Sequence, residues 1–290
     1  MVVVQVPEAR SIAQVMEELQ KRVANRSQGT KSGGSENEIK YNCSKCEDKG
    51  FYLEDIPDLD DEGIQRKWPN GELKFYLTMK DCTCSKKKRS NHLLKFSEIT
   101  EEFRKINFSS FTLDGKDKVI RDAYRCAVAY FKNYEGIKTN RVNSISLLGQ
   151  PGLGKTHLLI ALANNLIMKK QVSVLYFPFV EGFNDLKDNF DRLEEKLTKM
   201  KRVDVLFIDD LFKGRDFPTN FQIEQMFAVI NYRYINHKPI MISSEKTVDE
   251  LCDIDEALGT RIFEMSKDYT VVIKGDRKKL NHRLVGLDNV

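Results

Sequence analysis

The stretch GQPGLGKTHLL, Gly149 to Leu159, decides the fold. It stands between an apolar run, NSISLL (Asn143–Leu148), and a helix-forming run, THLLIALANNLIMKK (Thr156–Lys170). Gly149, Gly154, Lys155 and Thr156 match the spacing G-x-x-x-x-G-K-[ST], and a strand followed by a helix is the context in which that spacing has a mechanism. Phosphate oxygens are approached by backbone N–H groups, and a Cβ would stand in the way. The helix that begins there turns its positive end toward the anion. The motif therefore reads as an ATP site. Gly149, Gly152 and Gly154 shape its loop, Lys155 places a charge at the β- and γ-phosphates, and Thr156 offers a hydroxyl to Mg²⁺. A glycine-rich turn of no chemical purpose is the competing reading, and the flanking strand and helix argue against it. On the helix, Leu158, Leu159, Leu162 and Leu166 share the face expected to pack.

A second segment fits the first. VDVLFIDDLF, Val203 to Phe212, is an apolar strand ending in two carboxylates. Asp209 is expected to hold Mg²⁺, directly or through water, and Asp210 to orient or deprotonate the attacking water. The alternative is a solvated strand end, where aspartates are common. Aspartate is one methylene shorter than glutamate, so slow turnover is expected of Asp210. Further on, KPIMISSEKTVDEL (Lys238–Leu251) carries a strand at Pro239–Ser243, expected to lie between the phosphate-loop strand and the Asp209 strand. That order would bring Ser244 or Glu245 near the γ-phosphate as a polar sensor. Thr247 and Glu250 have the spacing of a helix capping box.

Apolar runs at Ser144–Leu148, Val172–Phe177, Val203–Ile208, Pro239–Ser243 and Tyr269–Ile273 alternate with helical patterns. That alternation predicts an α/β fold with a parallel sheet and helices on both faces. Five segments follow from the composition along the chain: an amphipathic helix in 1–26, a flexible linker in 27–39, a zinc-binding module in 40–92, a helical connection in 93–140 and the ATPase domain in 141–290. The first helix rests on Ile12, Val15, Met16, Leu19 and Val23, and the linker on NRSQGTKSGGSENE. Asn70-Gly71, between runs containing Ile64, Arg66 and Trp68 and Leu73, Phe75, Leu77 and Met79, predicts a hairpin.

The chain has 290 residues, 41% hydrophobic and 31% charged, with a net charge of +4. No apolar run approaches the roughly 20 residues of a membrane span, and the start lacks signal-peptide features, so a cytoplasmic protein is expected. Thiols stay reduced there, and the six cysteines are read accordingly. Cys43 and Cys46 (CSKC) with Cys82 and Cys84 (CTC) form two tight pairs suited to a tetrahedral, structural Zn²⁺ site, which would stabilise a segment too small to fold on its own core. Cys126 and Cys252 sit in helical patterns and read as buried and inert. The basic runs KKKRSNHLLK (Lys86–Lys95) and KGDRKKLNHR (Lys274–Arg283) read first as solvated faces. Tyr176–Leu197 mixes Phe177, Phe179 and Phe183 with Lys187 and Arg192, a combination that serves either a core or stacking on single-stranded DNA.

These segments together resemble the bacterial and phage replicative helicase loaders of the DnaC/DnaI type, a branch of the AAA+ ATPases, over about Asn107 to Leu284. The likeness rests on LLGQPGLGKTHLLIALAN, VDVLFIDDLF, FAVINYRYINHKPIMISSE, LGTRIFEM and VVIKGDRKKLNHRL. It implies an α/β AAA+ P-loop NTPase with a parallel sheet and flanking helices, preceded by a small zinc-binding N-terminal domain. It also implies an ATPase that assembles on the hexameric replicative helicase and helps place it on single-stranded DNA. The zinc module and leading helix would form the helicase-contacting end. By the same likeness Arg261 corresponds to the arginine that reaches a neighbour's ATP, and Arg283 to a sensor arginine. Two departures stand out. Glu245 occupies a sensor position that is often asparagine, leaving Ser244 as the candidate, and the chain ends soon after Arg283, so no helical lid is expected. A transposition-helper ATPase resembles the same domain, although those helpers generally lack a cysteine-bearing module. A non-catalytic zinc- and nucleotide-binding adaptor is the remaining alternative.

Overall fold

The structure, a computed structural model, describes residues 41–186, 190–214, 217–276 and 280. The expected helix in 1–26, the linker in 27–39, Lys187 and Arg283 lie outside the described residues. The chain divides into two compact units, Met1–Asp48 and Lys49–Val290. In the first, the backbone N–H of Asn42 donates to Asp48 Oδ2 at 2.9 Å, closing a turn whose Glu47 and Asp48 have left-handed φ values of 49° and 62°.

The second unit begins with an antiparallel pair, β1 (Phe51–Pro57) and β2 (Phe75–Asp81). The Asn70-Gly71 turn forms as expected, with the Trp68 N–H on the Glu72 carbonyl at 2.8 Å. The pairing beyond it differs from the expected hairpin. Residues 64–68 contribute only isolated bridges, Leu59 with Gln65 and Lys67 with Leu73. The longer ladder joins β2 to β1, and at its end three residues share backbone bonds: the Asp58 N–H donates to the Lys74 carbonyl, the Arg66 N–H to the Asp58 carbonyl and the Lys74 N–H to the Arg66 carbonyl. Helix α1 (Thr83–Phe96) follows, then two short 3₁₀ turns and α2 (Lys118–Ile137).

The large sheet contains β3 (Ile145–Gly149), β4 (Val174–Pro178), β5 (Val205–Asp209), β6 (Ile240–Ser244) and β7 (Thr270–Ile273). All are parallel, in the order β4-β5-β6-β3-β7. Strand β6 thus lies between the phosphate-loop strand and the Asp209 strand, the placement expected from sequence. Helices α3 (Lys155–Lys170), α4 (Phe179–Leu186), α5 (Phe190–Arg202), α6 (Asn220–Ile235), α7 (Val248–Ile254) and α8 (Glu256–Ser266) complete the layers. Successive strand residues face opposite cores, as period-two geometry dictates. Val205 and Phe207 meet the α2–α3 core, while Leu206 and Ile208 meet the core of α4 to α8.

Helix α3 was expected to bury one face. Residues Leu158 to Ile167 are all buried instead, since α1 and α2 cover the side away from the sheet. Each such leucine contributes about 1.5–3 kcal/mol by burial, and Leu162→Ala would cost about 2–5 kcal/mol. Helix α7 starts with the expected capping box: Glu250 Oε2 accepts the Thr247 N–H at 2.7 Å, and Thr247 Oγ1 accepts the Glu250 N–H at 3.4 Å.

Arg233 on α6 is 0% exposed. Its Nη1 donates to the carbonyls of Met200, Lys201 and Val203, and its Nη2 to those of Asp204 and Pro239, at 2.6–3.3 Å. Burial pulls its pKa down to about 9. Among the described residues, no helix is long and apolar enough to cross a membrane.

Candidate nucleotide-binding site

The turn after β3 carries positive φ at Gly149 (108°), Gly152 (77°) and Gly154 (81°). At Gly149 a Cβ would sit 2.2 Å from the Ile273 carbonyl oxygen of β7, and at Gly154 one would sit 2.8 Å from the Phe111 ring. Gly149 is therefore required by a strand far away in sequence as well as by its own φ. Phosphate access is one reason for a glycine here, and a close backbone approach is a second one.

Lys155 opens α3 and is 5% exposed. Its Nζ donates to the carbonyls of Gly149 at 2.6 Å and Gln150 at 2.7 Å. Burial pushes its pKa down to about 8, against the opposing pull of Asp210, Glu245 and Asp209. Thr156 Oγ1 donates to Asp209 Oδ1 at 2.8 Å. The two residues expected to meet a metal thus stand together, although 53 positions apart. Ser243 of β6 donates to the same Asp209 oxygen at 2.5 Å, and Tyr176 of β4 donates to Oδ2 at 3.1 Å. Burial raises the Asp209 pKa, and its three hydroxyl partners counter that rise. Sequence motifs name neither Tyr176 nor Ser243. Sheet register brings both to Asp209, Pro178 pairing with Asp209 in β4–β5.

Asp210 begins the turn beyond β5 with φ 54°. Its N–H donates to Ser243 Oγ at 2.8 Å, and Lys213 Nζ donates to its Oδ2 at 2.7 Å. Lys213 also lies 3.5 Å from Glu245 Oε1. Burial works against the Lys213 charge, but the bond to Asp210 and the two carboxylates hold its pKa above the ordinary lysine value. A cavity of about 240 Å³ is lined by Gly152 to His157, Asp210, Lys213 and Glu245. On the other side of the loop, Phe111, Thr112, Ile120, His157 and Leu280 line a second cavity of about 240 Å³.

The two sensor candidates are placed differently. Ser244 is 0% exposed and donates to the Leu211 carbonyl at 2.7 Å, while Glu245 lines the cavity. Arg261, on α8, does not pair with Glu256 or Glu264. Its Nε donates to Asn231 Oδ1 at 3.1 Å and its Nη1 to the Ala257 carbonyl at 2.6 Å, with the guanidinium 5.3 Å from the Phe227 ring and 5.4 Å from the Tyr234 ring. Glu264 instead accepts the Tyr234 hydroxyl at 2.8 Å. Phe177, Phe179 and Phe183 are at most 4% exposed and belong to the core. Phe217 and Phe221 carry exposed rings nearby, at the edge of a cavity of about 350 Å³ that Phe179, Phe183 and Phe212 also line. Cys43 and Cys46 stand in the first unit and Cys82 and Cys84 in the second, and thiolates are the donor type that a structural Zn²⁺ takes.

The donor set of the main site fits a magnesium nucleotide equally well. Thr156 and Asp209 present adjacent oxygens of the kind a hard cation takes, and a carboxylate destabilised by burial is relieved by a divalent charge. Fold and site together define a P-loop NTPase of the AAA+ type. The family profile of the IstB-like ATP-binding proteins matches residues 67–285, and the chain belongs to that family. The phage-like element PBSX protein XkdC of Bacillus subtilis (strain 168) is 48% identical over 281 residues, spanning 96% of this chain and 98% of the relative. The crystal structure of DnaI is similar with a TM-score of 0.52 and 26% identity, covering 61% of this chain and 95% of that one. The crystal structure of the DnaC helicase loader shares the fold with a TM-score of 0.50 and 24% identity, over 60% of this chain and all (100%) of that one.

Proposed function

We propose that the protein is an ATP-hydrolysing loader that binds a hexameric replicative helicase and helps place it on single-stranded DNA. The observation that carries the ATPase half is the Thr156–Asp209 oxygen pair beside Lys155, with the carboxylate of Asp210 in the wall of the same cavity. The loader half is supported by the sequence likeness to the DnaC/DnaI type and by the similarity to the DnaI structure. Magnesium supplies charge neutralisation at the phosphates when bound. Lys155 and the loop N–H groups bind the phosphates, Thr156 and Asp209 hold the ion, and Asp210 orients water and takes its proton. Arg261 acts across a subunit boundary in the assembly on the helicase, where a permanently charged planar group suits the developing phosphoryl charge. Arg283 and Ser244 or Glu245 are the further candidates for sensing nucleotide. The cysteine cluster holds a structural Zn²⁺, and exposed Phe217 and Phe221 offer stacking faces to single-stranded DNA.

The test is to purify the protein with the replicative helicase of its host and measure ATP hydrolysis alone, with helicase and with single-stranded DNA. A stable complex with DNA- or helicase-stimulated hydrolysis is expected. Hydrolysis without helicase binding would overturn the loader reading. Capture of a transposase in its place would establish the transposition-helper reading.

A further inference from the structure

The cavity beside the phosphate loop contains a second lysine that no motif names. Lys213 sits in the turn beyond β5, whose backbone is left-handed at Asp210 (φ 54°), Phe212 (φ 56°) and Gly214 (φ 116°). At the two non-glycine positions that conformation is unfavourable for a residue with a Cβ, so the surrounding structure must impose it. It does so through the Leu211 N–H on the Ser243 carbonyl at 2.9 Å, the Lys213 N–H on the Asp210 carbonyl at 3.0 Å, and the buried Phe212 ring packed 5.3 Å from Phe179. The turn buries Phe212 and leaves the neighbouring Lys213 side chain, 39% exposed, in the wall of the cavity. An ordinary surface lysine does not require a strained turn to aim it.

The charges around it give the reason. Asp210 and Glu245 both line this cavity with the phosphate-loop residues. Two carboxylates there would repel the terminal phosphate. Lys213 lies between them, 2.7 Å from Asp210 Oδ2 and 3.5 Å from Glu245 Oε1. A lysine ammonium is a compact charge with three donors on a rotatable stem. It can therefore keep one carboxylate partner and turn another donor to a phosphate oxygen.

We propose that Lys213 is a second phosphate-binding cation of this site, anchored by Asp210 and Glu245 and directed at the γ-phosphate, so that it favours ATP over ADP. The proposal rests on the ATP reading of the cavity and deepens it. Engagement of the phosphate also loosens the ion pair on Asp210, leaving that carboxylate available to water when the triphosphate is bound.

The experiment is equilibrium binding of magnesium-loaded, non-hydrolysable ATP analogue and of magnesium ADP to the full chain, wild type against Lys213→Met and Lys213→Arg. One charge-assisted hydrogen bond corresponds to roughly a tenfold to hundredfold loss. Lys213→Met should lose that much affinity for the triphosphate and stay within about twofold for ADP, the retained ADP binding showing that the fold is intact. Lys213→Arg should recover most of the triphosphate preference. An unchanged ratio, or an equal loss for both nucleotides, overturns the assignment. If wild-type protein binds neither nucleotide, the ATP reading itself has failed, and a binding-competent wild type keeps the two failures apart.

Discussion

Raising the pH through 8 should weaken ATP binding, because the buried Lys155 ammonium loses its proton there. With a pKa of about 8, roughly nine in ten free sites carry the charge at pH 7 and about one in ten at pH 9. A bound polyphosphate favours the charged form and raises the pKa in the complex. Binding at pH 9 must therefore take up about 0.9 proton per nucleotide, against about 0.1 at pH 7, and affinity should fall by about tenfold per pH unit once well above 8. Titration calorimetry in two buffers of different ionisation heat measures the uptake directly. Stability of the nucleotide-free protein should move the other way. Between about 8 and the ordinary lysine value of 10.5 the unfolded chain binds more protons than the folded one, so this lysine's contribution to stability rises with pH across that window. Opposite slopes for affinity and stability are the signature. Zero proton uptake at pH 9 with flat affinity would refute the placement of a buried, phosphate-binding ammonium.

Asp210→Asn should bind ATP within about threefold of wild type and lose at least about a hundredfold in hydrolysis, since Asp209 remains for the metal; normal turnover would remove Asp210 from the chemistry. Arg261→Ala should bind ATP normally and hydrolyse about 10³-fold more slowly, and mixing it with Asp210→Asn protein should restore activity in mixed assemblies. No rescue in confirmed mixed assemblies would show that Arg261 does not act in trans. Arg233→Met should destabilise by about 3–5 kcal/mol in urea unfolding, because its carbonyl partners are left buried, and a loss below about 1 kcal/mol would mean that they find other donors. Elemental analysis should find one Zn²⁺ per chain, released by Cys84→Ser, and metal-free protein as freshly purified would count against the cysteine cluster as its site.

The sequence was most informative where function requires a local backbone shape. The phosphate loop, the double aspartate and the capping box all lie within a few residues, and each appears where its spacing placed it. The five strands begin or end only one or two residues from their expected limits, and β6 takes its expected place in the sheet. What escaped the reading depends on tertiary register. Tyr176 reaches Asp209 because β4 and β5 pair in a particular alignment, and nothing within either strand encodes that alignment alone. Lys213 resembles any loop lysine until the left-handed turn aims it. Helix α3 reads as one-faced because a periodicity argument cannot count the layers stacked outside it. Phe177, Phe179 and Phe183 admitted two readings, and their burial assigns them to the core.

The carbonyl groups that receive Arg233 come from the end of α5, the approach to β5 and the residue before β6. Four of them lie 29 to 33 positions from the arginine. Until these segments have converged, a guanidinium drawn out of water meets too few acceptors to offset its lost hydration. Bonds that wait for this convergence are expected to form late in folding. Interactions absent from the transition state leave the rate of folding nearly untouched and slow unfolding instead, by about tenfold for each 1.4 kcal/mol. Arg233→Met is therefore expected to speed unfolding more than it slows folding, a difference that the two arms of a denaturant chevron read directly.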